Sequence, residues 1–429
     1  MSSLLEDNKT AAKERFTRER ILRSYEQTRT FSHTITECLE PEDFVIQPME
    51  SASPTKWHLA HTSWFFETFV LGKFDAEFSS MHPQYAYLFN SYYLQTGVPF
   101  TRSQRGVISR PTVKDVFEYR AYVNEKMKEF IEQVDDEVWT EAAPVIEIGI
   151  NHEQQHQELI LTDIKYTLAQ NPLLPVYRDI KVQEVDKISA LEWISFEEGI
   201  TEIGHPGDAF TYDNEHPQHR TFVQNYALSD RLVTNGEYLE FMKDAGYERS
   251  ELWLDEGWTC VRSEEWKAPL YWFVRDGEWW NYTLSGARKV NLHEPVTHVS
   301  YFEADAFARW KGVRLPTEQE WEHASKDLPV EGNFVEKQSF HTSPLKEGTS
   351  GLKQMYGDVW EWTSSSYAPY PGYKPLPGAL GEYNGKFMSN QYVLRGGSCA
   401  TSQTHIRNTY RNFFQARSRW QFSGIRLAK

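Results

Sequence analysis

Ile150-Asn151-His152-Glu153-Gln154-Gln155-His156-Gln157-Glu158-Leu159 decides the reading of the first half of this chain. On a helix, residues four apart share a face about one turn from each other, so His152 and His156 can bind one metal ion together. The flanking sequence predicts that helix. Pro144 suits a first turn, no glycine interrupts the run after Gly149, and Asn171-Pro172 stops it. Ile148, His152, Gln155, His156, Leu159 and Asp163 align as one inward stripe. A packed core explains one histidine on such a stripe well. It explains two at this spacing, beside Gln155 and Glu158, poorly.

The same residues spell H-E-x-x-H, the zinc-hydrolase pattern, in which Glu153 is the general base. The metzincin continuation needs Gly three positions after the second His, where Leu159 stands; a distant Glu ligand stays open. The alternative is H-x3-H-x-E with its third ligand upstream. Lys56-Trp57-His58-Leu59-Ala60-His61-Thr62-Ser63-Trp64-Phe65-Phe66-Glu67 supplies a candidate, on a helix capped by Ser53 with Pro54 at its first position. His61 shares a face with Trp57, Trp64 and Phe65, and His58 lies on that side too, so periodicity leaves both open. Three neutral imidazoles leave part of a coordination sphere free and suit zinc, iron, nickel or copper alike.

At 429 residues the chain has room for two or three domains. A net charge of −16 argues against non-specific nucleic-acid binding and against docking on anionic membranes. No apolar run reaches transmembrane length, and Met1-Ser2-Ser3-Leu4-Leu5-Glu6-Asp7 is too polar for a signal peptide. Cys38, Cys260 and Cys399 are far apart and odd in number, which predicts a reducing compartment, with cytoplasm the default. Aromatic residues make up 15% of the chain, a composition compatible with an aromatic pocket for a cation.

The two halves differ in pattern. Helical spacing covers Ala11 to Leu39, Trp57 to Leu71, Pro111 to Val134 and Pro144 to Gln170, which together predict a four-helix bundle with inward-facing metal ligands. The long connection from Asp75 to Arg110 carries Asn90-Ser91-Tyr92-Tyr93 and Arg102-Ser103-Gln104-Arg105, and such loops often hold binding groups. The expected division is a bundle over 1–175, a linker over 176–189 and a second domain over 190–429. That second domain reads as short strands and irregular loops with helices near Asn235–Ala245 and Tyr301–Lys311.

Four motifs follow in order: Arg314-Leu315-Pro316-Thr317-Glu318-Gln319-Glu320-Trp321-Glu322, Gly357-Asp358-Val359-Trp360-Glu361-Trp362, Arg395-Gly396-Gly397-Ser398 and Ser423-Gly424-Ile425-Arg426. Together they resemble the formylglycine-generating-enzyme (sulfatase-modifying factor) domain over roughly residues 190–429. That resemblance implies a C-type-lectin-like fold in which most motif residues pin loops. The family's paired cysteines after Arg-Gly-Gly-Ser are missing, since only Cys399 stands there before Ala400-Thr401-Ser402-Gln403, so formylglycine formation is not expected. The first half resembles a DinB-like bundle with a three-histidine metal site. The combination is similar to the ergothioneine-biosynthesis sulfoxide synthases (EgtB type). It implies an α+β chain: a DinB-like four-helix bundle followed by a C-type-lectin-like domain.

The resemblance carries a set of expectations. His61, His152 and His156 match the family's metal ligands, which hold iron(II). The reaction joins a cysteine sulfur to the imidazole C2 of Nα-trimethylhistidine (hercynine) using dioxygen. Arg102 and Arg105 match an R-x-x-R pair that holds the sulfur donor's carboxylate. Asn412 would bind the betaine carboxylate, and Phe413 with Phe414 would face the quaternary ammonium. Gln155 would hydrogen-bond the substrate imidazole. Phe413-Phe414 stands where γ-glutamylcysteine-using members have Trp-Asp, which favours free cysteine as donor. In that branch the proton donor falls at Tyr92 or Tyr93, with Tyr383 next in line. Ovothiol-type enzymes, which use unmethylated histidine, and selenoneine-type enzymes, which use a selenium donor, are the near alternatives. A zinc hydrolase and a non-catalytic lectin-like binding module are the remote ones.

Overall fold

The computed structural model describes residues 15–180, 185, 187–207, 209–345 and 351–429. The expectations on Met1–Asp7, on the first residues of the Ala11 helix and on part of the 176–189 linker lie outside these residues. The chain divides into two compact units. The first is Met1–Gln170 with Asp208–Phe210 and Pro377–Tyr383; the second is Asn171–Gly207, Thr211–Leu376 and Asn384–Lys429, each counted over the described residues.

The first unit is built on four helices: α1 (Arg18–Thr34), α2 (Thr55–Phe66), α3 (Val113–Gln133) and α4 (Asp136–Ala169). α1 and α3 are amphipathic in the expected way; Ile21 and Tyr25 on α1, and Val116, Tyr119, Val123, Met127, Phe130 and Ile131 on α3, are buried. Thr112 and Asp115 form a capping box that starts α3. Every residue of α2 is buried, which explains why its histidines could not be sorted by polarity. The N-cap of α2 is Pro54, without a side-chain cap. Ser53 is not the cap, because its hydroxyl accepts from Arg105 Nη1 at 2.9 Å and its backbone N–H goes to Asp163 at 2.8 Å. Residues Glu67–Leu71 continue α2 as a π-helical turn.

α4 departs most from expectation. Pro144 lies inside the helix and does not begin it. The helix starts instead after Asp135, with Asp136 and Glu137 in its first turn, where carboxylates suit the positive helix end. One backbone hydrogen bond is given up at Pro144, while Trp139, Ala142, Ala143, Val145 and Ile146 are buried around it. Nor does the stripe read from the sequence face uniformly inward. His152, His156 and Asp163 are buried, whereas Ile148, Gln155 and Leu159 are half-buried. Gly149 is required by close approach, since a Cβ there would sit 2.5 Å from the Phe66 ring.

The second unit carries short strands and helices: β1 (Trp193–Phe196), β2 (Gly199–Ile203), β3 (His219–Val223), β4 (Tyr226–Ser229), α5 (Asn235–Lys243), α6 (Asp255–Ser263), β5 (Trp272–Arg275), β6 (Glu278–Thr283), β7 (Gly286–Lys289), α7 (Tyr301–Trp310), α8 (Glu318–Ser325), β8 (Trp360–Ser366), β9 (Tyr392–Arg395), β10 (Asn412–Phe414) and β11 (Ser423–Gly424). β1 pairs with β4 and β2 with β3; β5-β6-β7 form a meander, and β10-β9-β8-β11 form the largest sheet, with β11 parallel to β8 and the other pairs antiparallel. The motif residues do pin loops. Arg395 pairs with Glu318 and Glu322 at 2.9 Å, Arg426 pairs with Glu361 at 2.8 Å, and the Trp321 indole donates to Glu361 at 2.7 Å. The start of the expected linker is packed on this unit: Tyr177 is buried, and the N–H groups of Tyr177 and Arg178 both donate to the Leu284 carbonyl at 3.0 Å. No helix among the described residues is long and apolar enough to cross a membrane.

Candidate metal centre

α2 and α4 of the first unit bring together His61, His152 and His156. All three are buried, and one ring nitrogen from each lies within 4.8 Å of the others. His61 is clamped between Trp57 and Trp64, with ring centroids at 4.6 and 5.3 Å and near-parallel planes. Its Nδ1–H donates to the Phe89 carbonyl at 2.6 Å, so the lone pair belongs to Nε2. His152 packs on Phe65 at 4.8 Å.

Two nitrogens in this cluster, His61 Nε2 and His152 Nδ1, are buried with no hydrogen-bond partner among the described residues. A buried polar atom left unpaired costs free energy. A metal ion would satisfy it. The charge state fits as well. Burial first, and then neighbouring imidazoles, hold His61 and His156 well below the usual histidine range, and burial brings His152 down to about 3. All three are therefore neutral near pH 7, the form that binds metals.

His58 is not part of the triad. Its Nδ1 lies 2.8 Å from His156 Nδ1 and its Nε2 lies 3.1 Å from Asp163 Oδ2. Sequence reasoning left His58 as an alternative ligand and missed its partnership with Asp163. A signal existed, in that Asp163 follows His156 by two turns on the same stripe.

Glu153 does not face the triad as a general base would. It is buried on another side of α4, where Oε2 accepts from Arg29 at 2.8 Å and Oε1 from Arg120 at 2.9 Å and from Ser32 at 2.6 Å. Burial alone would raise its pKa; the two guanidiniums and the hydroxyl outweigh burial and hold it down to about 2. A carboxylate tied up in this way is a poor proton acceptor, which removes the basis of the zinc-hydrolase reading.

Gln155 is half-buried and accepts a hydrogen bond from the Tyr383 hydroxyl. The Tyr383 ring lies 5.7 Å from that of His152. Tyr383 belongs to the Pro377–Tyr383 segment of this unit, and neighbouring Glu382 accepts the backbone N–H groups of Leu94 and Gln95 at 3.0 Å each. Tyr92 stacks on Tyr93 at 4.6 Å and lies 6.5 Å from Tyr383. Tyr93 is fully buried against Trp64 and Phe69.

The two arginines separate. Arg102 is exposed and donates to the Ser51 carbonyl. Arg105 is buried, with its guanidinium 3.4 Å from the centre of the Trp57 ring. Among the described residues its hydrogen-bond partners are the hydroxyls of Ser53 and Ser91, and its Nε has none. Burial and then the Arg102 charge pull its pKa down, yet a guanidinium stays protonated in proteins. A buried cation whose hydrogen bonds among the described residues go to hydroxyls, with Nε unused, has spare capacity for an anion.

In the second unit Asn412, Phe413 and Phe414 form β10 and are half-buried. Phe413 stacks on Tyr367 at 4.0 Å, with Phe387 at 6.0 Å, and Phe414 meets Trp420 edge-on at 5.8 Å. Asn412 Oδ1 accepts the Phe413 N–H at 2.9 Å, which leaves its NH₂ as the donor end. Cys38, Cys260 and Cys399 are free thiols, the first exposed and the other two buried.

Residues 24–160 match the model of the DinB superfamily, and residues 178–429 match that of the sulfatase-modifying factor enzyme 1-like domain. A protein of Mycobacterium tuberculosis named hercynine oxygenase is 32% identical over 306 residues, covering 66% of this chain and 71% of that one. A hercynine oxygenase of Mycolicibacterium smegmatis is 35% identical, covering 50% of this chain and 55% of that protein. Ergothioneine biosynthesis protein 1 of Schizosaccharomyces pombe is 29% identical over 51% of this chain and 28% of its own length. With both of its units matched in this order, the chain belongs to the family of ergothioneine-biosynthesis sulfoxide synthases, oxidoreductase-type enzymes that combine a DinB-like helical region with a sulfatase-modifying-factor-type domain.

Proposed function

We propose that this protein is an iron(II)- and dioxygen-dependent sulfoxide synthase that joins cysteine sulfur to the imidazole C2 of hercynine. The observation that carries the metal reading is the trio of neutral, buried imidazoles with two unpaired nitrogens. The relatives' names supply the imidazole substrate. In the overall reaction a C2–H bond and an S–H bond are broken and a C–S bond is formed. One oxygen atom ends on sulfur and the other leaves as water with the two hydrogens. Iron held by His61, His152 and His156 would supply dioxygen activation and a site for the thiolate.

The protein residues have separable tasks. Arg105, buried with its Nε unpaired among the described residues, suits the cysteine carboxylate, with the exposed Arg102 as a second cation. Gln155 orients the substrate imidazole through its side-chain amide, which Tyr383 already steadies. In the second unit the Phe413 ring, backed by Tyr367, offers a π face for a trimethylammonium group. Phe414, the next residue of the strand, points to the opposite face and packs on Trp420, so the expected pair reduces to Phe413. The donor end of Asn412 suits the betaine carboxylate. Proton delivery during oxygen reduction falls to Tyr92, Tyr93 or Tyr383. Tyr383 joins the first two because its ring lies against His152.

Oxygen consumption by anaerobically iron(II)-loaded protein tests the reading, with cysteine and hercynine together and singly, followed by product mass. Consumption that needs both, with a cysteine–hercynine sulfoxide formed, is expected. Consumption only with a selenium donor, γ-glutamylcysteine or unmethylated histidine would move the substrate assignment. Silence with all of them would refute the reading. Tyr→Phe changes at 92, 93 and 383 identify the acid as the position whose loss lowers sulfoxide formation by about 100-fold or more.

A further inference from the structure

Behind His156 runs a chain of hydrogen bonds that the three-histidine set does not account for. His58 and Asp163 are 2% and 4% exposed, so no bulk water mediates between them. Asp163 Oδ2 faces two groups, the Ser53 backbone N–H at 2.8 Å and His58 Nε2 at 3.1 Å. A carboxylate oxygen offers only lone pairs, so His58 presents Nε2–H to it. At the other edge of His58, two ring nitrogens stand 2.8 Å apart and share one hydrogen. Were that hydrogen on His58, the ring would be an imidazolium against the Asp163 carboxylate, and His156 would be left with its N–H directed towards the triad, where that nitrogen could not hold a metal. With the hydrogen on His156 Nδ1, every contact is satisfied and His156 Nε2 keeps a bare lone pair.

We propose that His58 and Asp163 are positioning residues that set the tautomer of His156: the carboxylate orients His58, His58 orients His156, and Nε2 of His156 is thereby held as a metal donor. The inference rests on the metal reading above. It also predicts an asymmetry among the ligands. His61 is oriented by a neutral carbonyl at Phe89, whereas His156 is oriented through a chain that ends on a negative charge. An anionic endpoint makes the histidine it orients a stronger donor.

Two measurements on the full-length protein test this. The first needs no mutation: ¹⁵N-histidine NMR of the zinc-loaded protein should show His58 as the Nε2–H tautomer and His156 with its hydrogen on Nδ1. A hydrogen on His156 Nε2 overturns the proposal. The second is anaerobic cobalt(II) titration of the metal-free protein, following affinity and the visible ligand-field spectrum. His58→Phe should weaken binding by about 10–100-fold. Asp163→Asn keeps an acceptor for His58 but removes the charge, so it should weaken binding less while still shifting the spectrum. Unaltered affinity and spectrum in both variants overturn the relay alone. A wild-type protein that binds neither zinc nor cobalt overturns the metal reading and the relay with it.

Discussion

His152 and Glu153 are neighbours in the chain and opposites in circumstance. His152 looks into a cluster where buried nitrogens lack partners. Glu153, on a different side of the same helix, has both oxygens occupied by guanidiniums and a hydroxyl. The first arrangement leaves capacity for something absent from the chain; the second leaves none. Being buried and polar therefore does not by itself mark a functional group in this protein. On this helix the unpaired nitrogens, gathered with two further imidazoles, point to a bound ion.

The contrast makes claims that single substitutions can break. Glu153→Gln should have the largest effect, a loss of about 3–5 kcal/mol in urea unfolding, because two buried guanidiniums are left without their anion. Metal affinity should change little beside that loss. The pH dependence has a definite sign. The Glu153 pKa is depressed in the fold, so its contribution is present above the unfolded carboxylate value, near 4.3. That contribution fades as pH falls towards about 2. The stability gap between wild type and Glu153→Gln should thus be full at pH 6 and narrow between about pH 4.5 and 2. A gap independent of pH would show that the carboxylate is not what the arginines respond to.

His152→Ala should do the reverse. Metal affinity should fall by about 100-fold or more, equivalent to about 2.7 kcal/mol, while the unfolding midpoint of the metal-free protein moves less than with Glu153→Gln. Gly149→Ala sharpens the comparison from a third side of α4, where the added methyl meets Phe65 and Phe66. Overpacking of this kind costs about 1–3 kcal/mol, and thermal unfolding should show it. Thr112→Ala removes the cap of α3 and should cost about 1 kcal/mol by the same measurement.

What the sequence revealed follows the same division. Spacing alone put His152 and His156 on one face, because helical geometry is local. The ordered motifs of the second unit were equally legible, and their charged residues form the buried pairs that hold its loops. The H-E-x-x-H pattern misled because a string of letters does not say which way Glu153 points; Arg29 and Arg120, its partners, come from two other helices. Pro144 misled because its preference for a first turn is weaker than the burial on both sides of it. Gln155 and Tyr383 lie 228 positions apart, a contact that no periodicity can suggest.

The place of Tyr383 also bears on how the protein is made. The four helices leave the ribosome about two hundred residues before the Pro377–Tyr383 segment that clusters with them. At typical synthesis rates that interval lasts about 10–40 s. During it the nascent bundle has all three metal-side histidines but neither Tyr383 nor the Glu382 carboxylate that ties down Leu94 and Gln95. A structural contribution to the first unit thus arrives long after its helices have been made, and a chain stopped before residue 377 would carry the metal ligands without that tyrosine.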